Sequence, residues 1–180
     1  MSIGIAILVF VAIAALALAA FVATRPDSFR LERGVTIAAP PETVYPLIAD
    51  FHRWTLWSPF EAMDAGLKRS FGGAESGVGA HYGWEGEKSG VGHMEILEAT
   101  PSSRVIIKLD FLKPVEAHNT AEFTIAPTAS GGSAVTWSMH GPHNLVSKLL
   151  SLVFNIEKIT GPMFEQGLAT MKTVAESGKG

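Results

Sequence analysis

Hydrophobic and polar positions divide the chain into three stretches. From Ile3 to Ala23, 21 consecutive residues carry no charge and no proline, only Ile, Ala, Leu, Val and Phe with one glycine. Such a run predicts a helix about 31 Å long at about 1.5 Å per residue, close to the hydrocarbon thickness of a bilayer. Arg25, Pro26 and Asp27 should end it. Phe29, Leu31, Val35 and Ile37 then alternate with Arg30, Glu32, Gly34 and Thr36, the period of a strand with one buried face. Arg33 falls on the apolar side and must reach out of it. Ala39-Pro40-Pro41-Glu42 breaks the strand, and its prolines suit a helix entry. Val44, Leu47 and Ile48 mark a helical stripe up to Asp50, with Pro46 inside it, so this helix is expected to be short or imperfect. An aromatic-rich helical segment, Phe51 to Trp57, ends at Ser58-Pro59.

From Lys68 to Gly141 strands recur about every dozen residues, as in a meander. The candidates are Lys68–Phe71, Ala80–Trp84, Gly92–Ala99, Arg104–Phe111, Glu116–Ala126 and Ala134–Met139. Turn-forming residues separate them, among them Gly72-Gly73, Pro101-Ser102-Ser103, Lys113-Pro114 and Ser130-Gly131-Gly132. The last stretch is helical. Asn144 is placed to cap a first piece through Phe154, and Thr160-Gly161-Pro162 reads as a break and restart, with Pro162 at a first helical position. Phe164, Leu168, Met171 and Ala175 then share one face. Gly167 beside Leu168 suggests a close approach to the sheet, since a helix glycine otherwise costs about 1 kcal/mol.

Composition refines this division. Of 180 residues 47% are apolar and 17% charged, and the apolar excess sits in the first stretch. A cleaved signal peptide is the rival reading of that stretch, with Ala17-Leu18-Ala19 imitating a cleavage site; a buried core helix is another. Met1-Ser2 offers no basic n-region, and the run is longer than such a core, which favours an uncleaved anchor. Arg25, Arg30 and Arg33 follow the span and no basic residue precedes it, so the positive-inside rule puts the remainder in the cytoplasm. Residues 1–24 are read as the anchor, 25–28 as a linker and 29–177 as one domain. The net charge of −3 and scattered Lys and Arg argue against nucleic acid. The absence of cysteine excludes thiol catalysis and cysteine metal sites.

The order strand, two short helices, six strands and a long C-terminal helix resembles the helix-grip fold of the START and Bet v 1-like group. More closely, the chain looks like bacterial SRPBCC proteins of the polyketide cyclase/dehydrase type. The residues carrying the resemblance are Ile37 to Tyr45, Phe51 to Pro59, Ser76 to Ala80 with Trp84, Pro114 to Thr120, and Trp137 to Pro142. It implies an α+β domain, a curved antiparallel seven-stranded sheet around the C-terminal helix, with one N-terminal transmembrane helix added. It implies little about function, because this fold carries lipid transfer, hormone binding, cyclisation and chaperone contact alike.

A sheet wrapped on a helix directs one face of every strand inward. Strand phasing assigns to that face Tyr82 and Trp84, Met94 and Ile96, Ile107 and Leu109 with Val105 and Phe111, Asn119 and Phe123 with Ala117, Ala121 and Ile125, and Trp137 and Met139 with Val135. The helix adds Phe164, Leu168 and Met171. These residues either line a ligand cavity, as the resemblance implies, or fill a solid core. Asn119 is the informative polar member, since a buried amide must orient a ligand or bond to a neighbour; Tyr82 could supply a second hydroxyl. If the hairpin turns about Pro114, Asp110 faces His118 on the outer side, a solvated cross-strand pair rather than an acid–base couple. His52, Trp54 and Trp57 pack the helical segment onto the sheet or gate the mouth. Glu85, Glu87 and Lys88 read as a solvated loop. His140 and His143 have no third ligand at metal spacing, and no nucleophile elbow, phosphate loop or dinucleotide fingerprint occurs, so neither a metal nor a cofactor is expected.

Three functions remain open: a membrane-tethered binding domain for an apolar small molecule or lipid, a cyclase/dehydrase-type enzyme using Asn119, Tyr82 or His52, and a module that contacts another membrane protein. An inward titratable group with a shifted pKa would mark the enzyme, a dry cavity the carrier, and an exposed apolar patch the contact module.

Overall fold

The computed structural model describes residues 3–143, 145–150 and 155–178. In order these form α1 (Ile3–Ala23), β1 (Ser28–Ile37), α2 (Pro41–Ala49), two short 3-10 helices (Phe51–Leu56 and Pro59–Ala62), β2 (Lys68–Gly73), β3 (Ala80–Gly86), β4 (Gly90–Thr100), β5 (Arg104–Lys113), β6 (Ala117–Pro127), β7 (Ser133–Pro142), α3 (Leu145–Leu150) and α4 (Ile156–Glu176). The strands make one antiparallel sheet in the order β1-β7-β6-β5-β4-β3-β2. Strands β2 to β7 follow one another as hairpins, and β1 returns beside β7, as the meander predicted. The curved sheet holds α4 against its inner face, an α+β helix-grip arrangement.

The β5–β6 register places Asp110 opposite His118, Lys108 opposite Thr120 and Leu109 opposite Asn119, the pairing expected from a turn about Pro114. In β1, Leu31 and Ile37 are buried while Arg30, Glu32, Gly34 and Thr36 are exposed. Arg33 does share the apolar side and does reach out, to Glu165 at 2.7 Å and Glu157 at 3.4 Å on α4.

That clamp lies across a departure from expectation. Thr160-Gly161-Pro162 is not a break: α4 runs unbroken from Ile156 to Glu176 with Pro162 inside it. The helix starts instead at Asn155, whose side chain accepts from the Glu157 and Lys158 backbone N–H groups. Proline forfeits one helical hydrogen bond, but Arg33 ties together Glu157 before it and Glu165 after it. Gly161 makes room for that guanidinium, because a Cβ there would lie 2.6 Å from it. The expected cap Asn144 and residues 151–154 of the expected first piece lie outside the described residues. Pro46 likewise sits inside α2, which stays short at nine residues.

α1 is long and apolar enough to cross a membrane, with a mean hydropathy of 3.1. Its side chains are almost all exposed, unlike those of a buried core helix.

Candidate functional site

Because facing residues repeat across the sheet, the inner face can be followed row by row from the end where β1 begins. The outermost row, Trp84, Phe111 and Ala117, is half-buried. In the next, Tyr82, Met94 and Leu109 are buried while Asn119 and Phe29 are half-buried. Farther in, Ile96, Ile107, Ala121, Met139 and Leu31 are buried, as are Val105, Phe123 and Trp137. Burial thus grows from the β1-start end towards the centre, where α4 contributes Phe164, Leu168 and Met171.

The centre is filled by rings. Trp137 stacks on Phe164 with centroids 3.8 Å apart and lies against Phe123 at 5.0 Å. Trp57 meets Trp137 edge-on, as does Phe60. The Trp54 and Trp57 indole N–H groups donate to the Ile48 and Leu47 carbonyls, which fixes the 3-10 segment onto α2. These two tryptophans therefore have the packing role expected of them. Gly167 is the predicted close approach: a Cβ there would lie 2.9 Å from Pro59 and 3.1 Å from Trp137. The Trp137 Nε1 is buried without a partner among the described residues.

At the half-covered end Asn119 sits beside Gly141, where a Cβ would collide with the Asn119 Oδ1. Its carboxamide has no hydrogen-bond partner among the described residues. Trp84 crosses towards Phe111, their centroids 5.7 Å apart. The result is a strip of apolar rings with one free amide.

Tyr82 takes a different role from the one phasing offered it. Its hydroxyl donates to the Glu61 carboxylate at 2.6 Å, and Arg69 holds the other oxygen at 2.6 Å. Burial, with that hydrogen bond, pushes the Tyr82 phenol well above its ordinary pKa and keeps it neutral. Glu61 gave no signal in the sequence, because its partners lie 8 and 21 residues away on other elements. His52 stands half-exposed at the sheet edge: its ring stacks on Phe71 at 4.1 Å, its Nδ1 lies 2.9 Å from Asp50, and it edges a small hollow of about 210 Å³ against β2.

A larger, open cleft of about 550 Å³ lies at the β1-start end of the sheet, lined by the outer-face side chains of Arg30, Lys108, Asp110, His118, Thr120 and His140 and also by the inner-face residues Asn119 and Phe29. The Asp110/His118 pair stands there as expected, Nδ1 to Oδ1 at 2.7 Å, but only its histidine is solvated. The Asp110 side chain is 3% exposed, covered by His93 at 3.0 Å, Lys108 at 2.8 Å and His118. Its own partners shield it, one side-chain layer deep. Burial alone would raise the Asp110 carboxyl, yet the hydrogen bonds from Lys108 and His118 outweigh it and hold the group below the usual range. The same bond raises His118. Glu85, by contrast, is exposed and pairs with Lys68 at 3.1 Å. Among the described residues no cluster of His, Asp or Glu has metal-binding geometry.

Similar folds occur among solved structures. A protein of unknown function from Staphylococcus aureus is 13% identical with a TM-score of 0.63, the alignment covering 84% of this chain and 96% of that one. The Aha1 dimer from Colwellia psychrerythraea gives 14% and 0.59 over 84% of this chain and 99% of that one. A protein from Thermobifida fusca gives 18% and 0.60 over 81% and 92%. At these identities the likeness concerns the fold alone. No curated protein matches. The family described as polyketide cyclase / dehydrase and lipid transport matches residues 28–176, the whole sheet and α4 together, and the chain belongs to that family.

Proposed function

We propose that this protein is a membrane-anchored binding domain for an apolar small molecule or lipid. Residues 1–24 form the anchor, 25–28 the linker and 29–177 the domain, and the arginines after the span put that domain on the cytoplasmic side. The observation that carries the reading is the unpartnered Asn119 amide within a half-covered apolar strip. Apolar walls with a few fixed polar groups are what small-molecule sites present, and an amide left free there can orient a carbonyl or hydroxyl of the bound molecule.

Ligand contact then falls first on Trp84, Leu109 and Asn119, with Tyr82, Met94, Ile107 and Met139 behind them. Phe123, Trp137, Phe164, Leu168 and Met171 form the deep wall, reached only by a molecule that parts α4 from the sheet. An enzymatic reading would ask Asn119, Tyr82 or His52 to assist proton transfer; Tyr82 is an inward group with a shifted pKa, but the shift is upward and its proton is held by Glu61, which makes it a poor acid. The family's name includes lipid transport, which agrees with a binding role.

The test is to express residues 28–180 in gentle buffer and examine them by native mass spectrometry and solvent extraction. A near-stoichiometric apolar species, lost in Asn119→Ala or exchanged for another on lipid titration, supports the proposal. An empty domain, silent towards a lipid panel, overturns it and favours a protein-contact module.

A further inference from the structure

The linker between α1 and β1 is not slack. Thr24 and Arg25 continue the last turn of α1 through hydrogen bonds to the Ala20 and Val22 carbonyls. The Asp27 carbonyl accepts from the His143 backbone N–H at 2.7 Å, and the Asp27 carboxylate pairs with Lys148 of α3 at 2.5 Å. That ion pair holds the Asp27 carboxyl below its ordinary pKa. Val22 is 1% exposed, and α1 packs on α3. An extended chain advances at most about 3.5 Å per residue, so the five steps from Ala23 to Ser28 cover no more than about 18 Å. The start of β1 is therefore held within about 18 Å of the end of α1.

Register shows what else lies at that end. His140 pairs with both Arg30 and Thr120, so the level of Ser28 on β6 is His118, opposite Asp110 on β5. Leu112 and Val115 lie two and three residues beyond, up to about 10 Å past Ser28 at about 3.3 Å per residue. These two side chains are 45% and 47% exposed, and they flank Lys113-Pro114. Leu149 of α3, the helix against α1, is 40% exposed. Aliphatic side chains left in the open beside a lysine are what an interfacial contact uses, the apolar groups entering the headgroup boundary and the cation meeting phosphates.

We propose that the domain stands with this rim against the bilayer that holds α1, the tip of the β5–β6 hairpin, Leu112 and Val115, resting in the headgroup layer. The half-covered strip ending at Phe111 and Ala117 then opens towards the membrane, so an apolar ligand passes between bilayer and sheet without crossing water. This rests on the reading of α1 as a membrane helix, and the experiment separates the two.

The chain has no cysteine, so single cysteines report cleanly. Full-length protein carrying Leu16→Cys, Leu112→Cys, Val115→Cys or Val78→Cys is labelled with a fluorophore and reconstituted into bilayers with nitroxide lipids. Val78 is the control, 59% exposed in the turn at the opposite end of the sheet. The expected order of quenching is Leu16 strongest, then Leu112 and Val115 at least about twofold above Val78, as for groups at the headgroup boundary. Quenching at Leu16 with Leu112 and Val115 no higher than Val78 overturns the docking and leaves the anchor standing. No quenching at Leu16 overturns both.

Discussion

Replacing Asp110 by asparagine keeps the shape of the outer-face cluster and removes its central charge. The carboxylate is inaccessible, but its partners His93, Lys108 and His118 are 46%, 47% and 60% exposed. A charge-assisted hydrogen bond in a dry site contributes about 1.5–3 kcal/mol and an exposed ion pair under about 1. Asp110 lies between these cases, because water can reclaim its partners once the charge is gone. The expected loss for D110N is about 2 kcal/mol, a fall in Tm of roughly 4–8 °C for a domain of this size. The pH dependence has a definite sign. His118 is raised in the folded state, so its share is fully present below the ordinary histidine pKa and is lost as pH rises through the raised value. Asp110 is lowered, so its share is present above the ordinary carboxylate pKa and is lost as pH falls through the lowered value. The gap between the native protein and D110N is therefore widest between about pH 4 and 6.5, and narrower at pH 9, where Lys108 remains the charged partner. Thermal unfolding of both proteins, followed by tryptophan fluorescence at pH 5.5, 7 and 9, measures it. A gap below about 1 °C at pH 5.5, or one that widens towards pH 9, would refute the reasoning.

Other substitutions probe the inner face. Gly141→Ala should drive the Asn119 amide from its place, costing about 1 kcal/mol in stability and weakening ligand retention as much as Asn119→Ala does; unchanged retention in native mass spectra would separate Asn119 from the site. Glu61→Ala should cost about 2–4 kcal/mol by stranding the buried Tyr82 hydroxyl and Arg69, whereas Glu61→Gln, which still accepts from Tyr82, should lose roughly half of that; equal losses in denaturant titrations would show that Tyr82 finds another acceptor. Gly167→Ala gains about 1 kcal/mol of helix propensity but presses on Pro59 and Trp137, so a net loss of about 1–2 kcal/mol is expected, and a rise in Tm would mean that α4 can step away from the sheet.

Alternation and turn chemistry are local properties, and they suffice for the strands, for the β5–β6 register about Pro114, for Arg33 on the apolar side and for the inward set from Tyr82 to Met171. The apolar run from Ile3 to Ala23 was equally plain as a helix. What fills the space between sheet and helix was not legible: periodicity says which way a side chain points, while the filling depends on the volumes of Trp54, Trp57 and Phe60, which come from segments remote from Trp137 and Phe164. The same limit hid the Glu61 bond to Tyr82 and the shielding of Asp110, whose cover includes His93 from a third strand. It also misplaced the start of α4, since Thr160-Gly161-Pro162 is a local stop signal, while the contacts that hold the helix, the Arg33 pairs and the burial of Phe164, Leu168 and Met171 among them, come from distant strands. Distances along the chain determine secondary structure and facing; distances through space, set by packing, decide which polar groups are paired and where the molecule stays open.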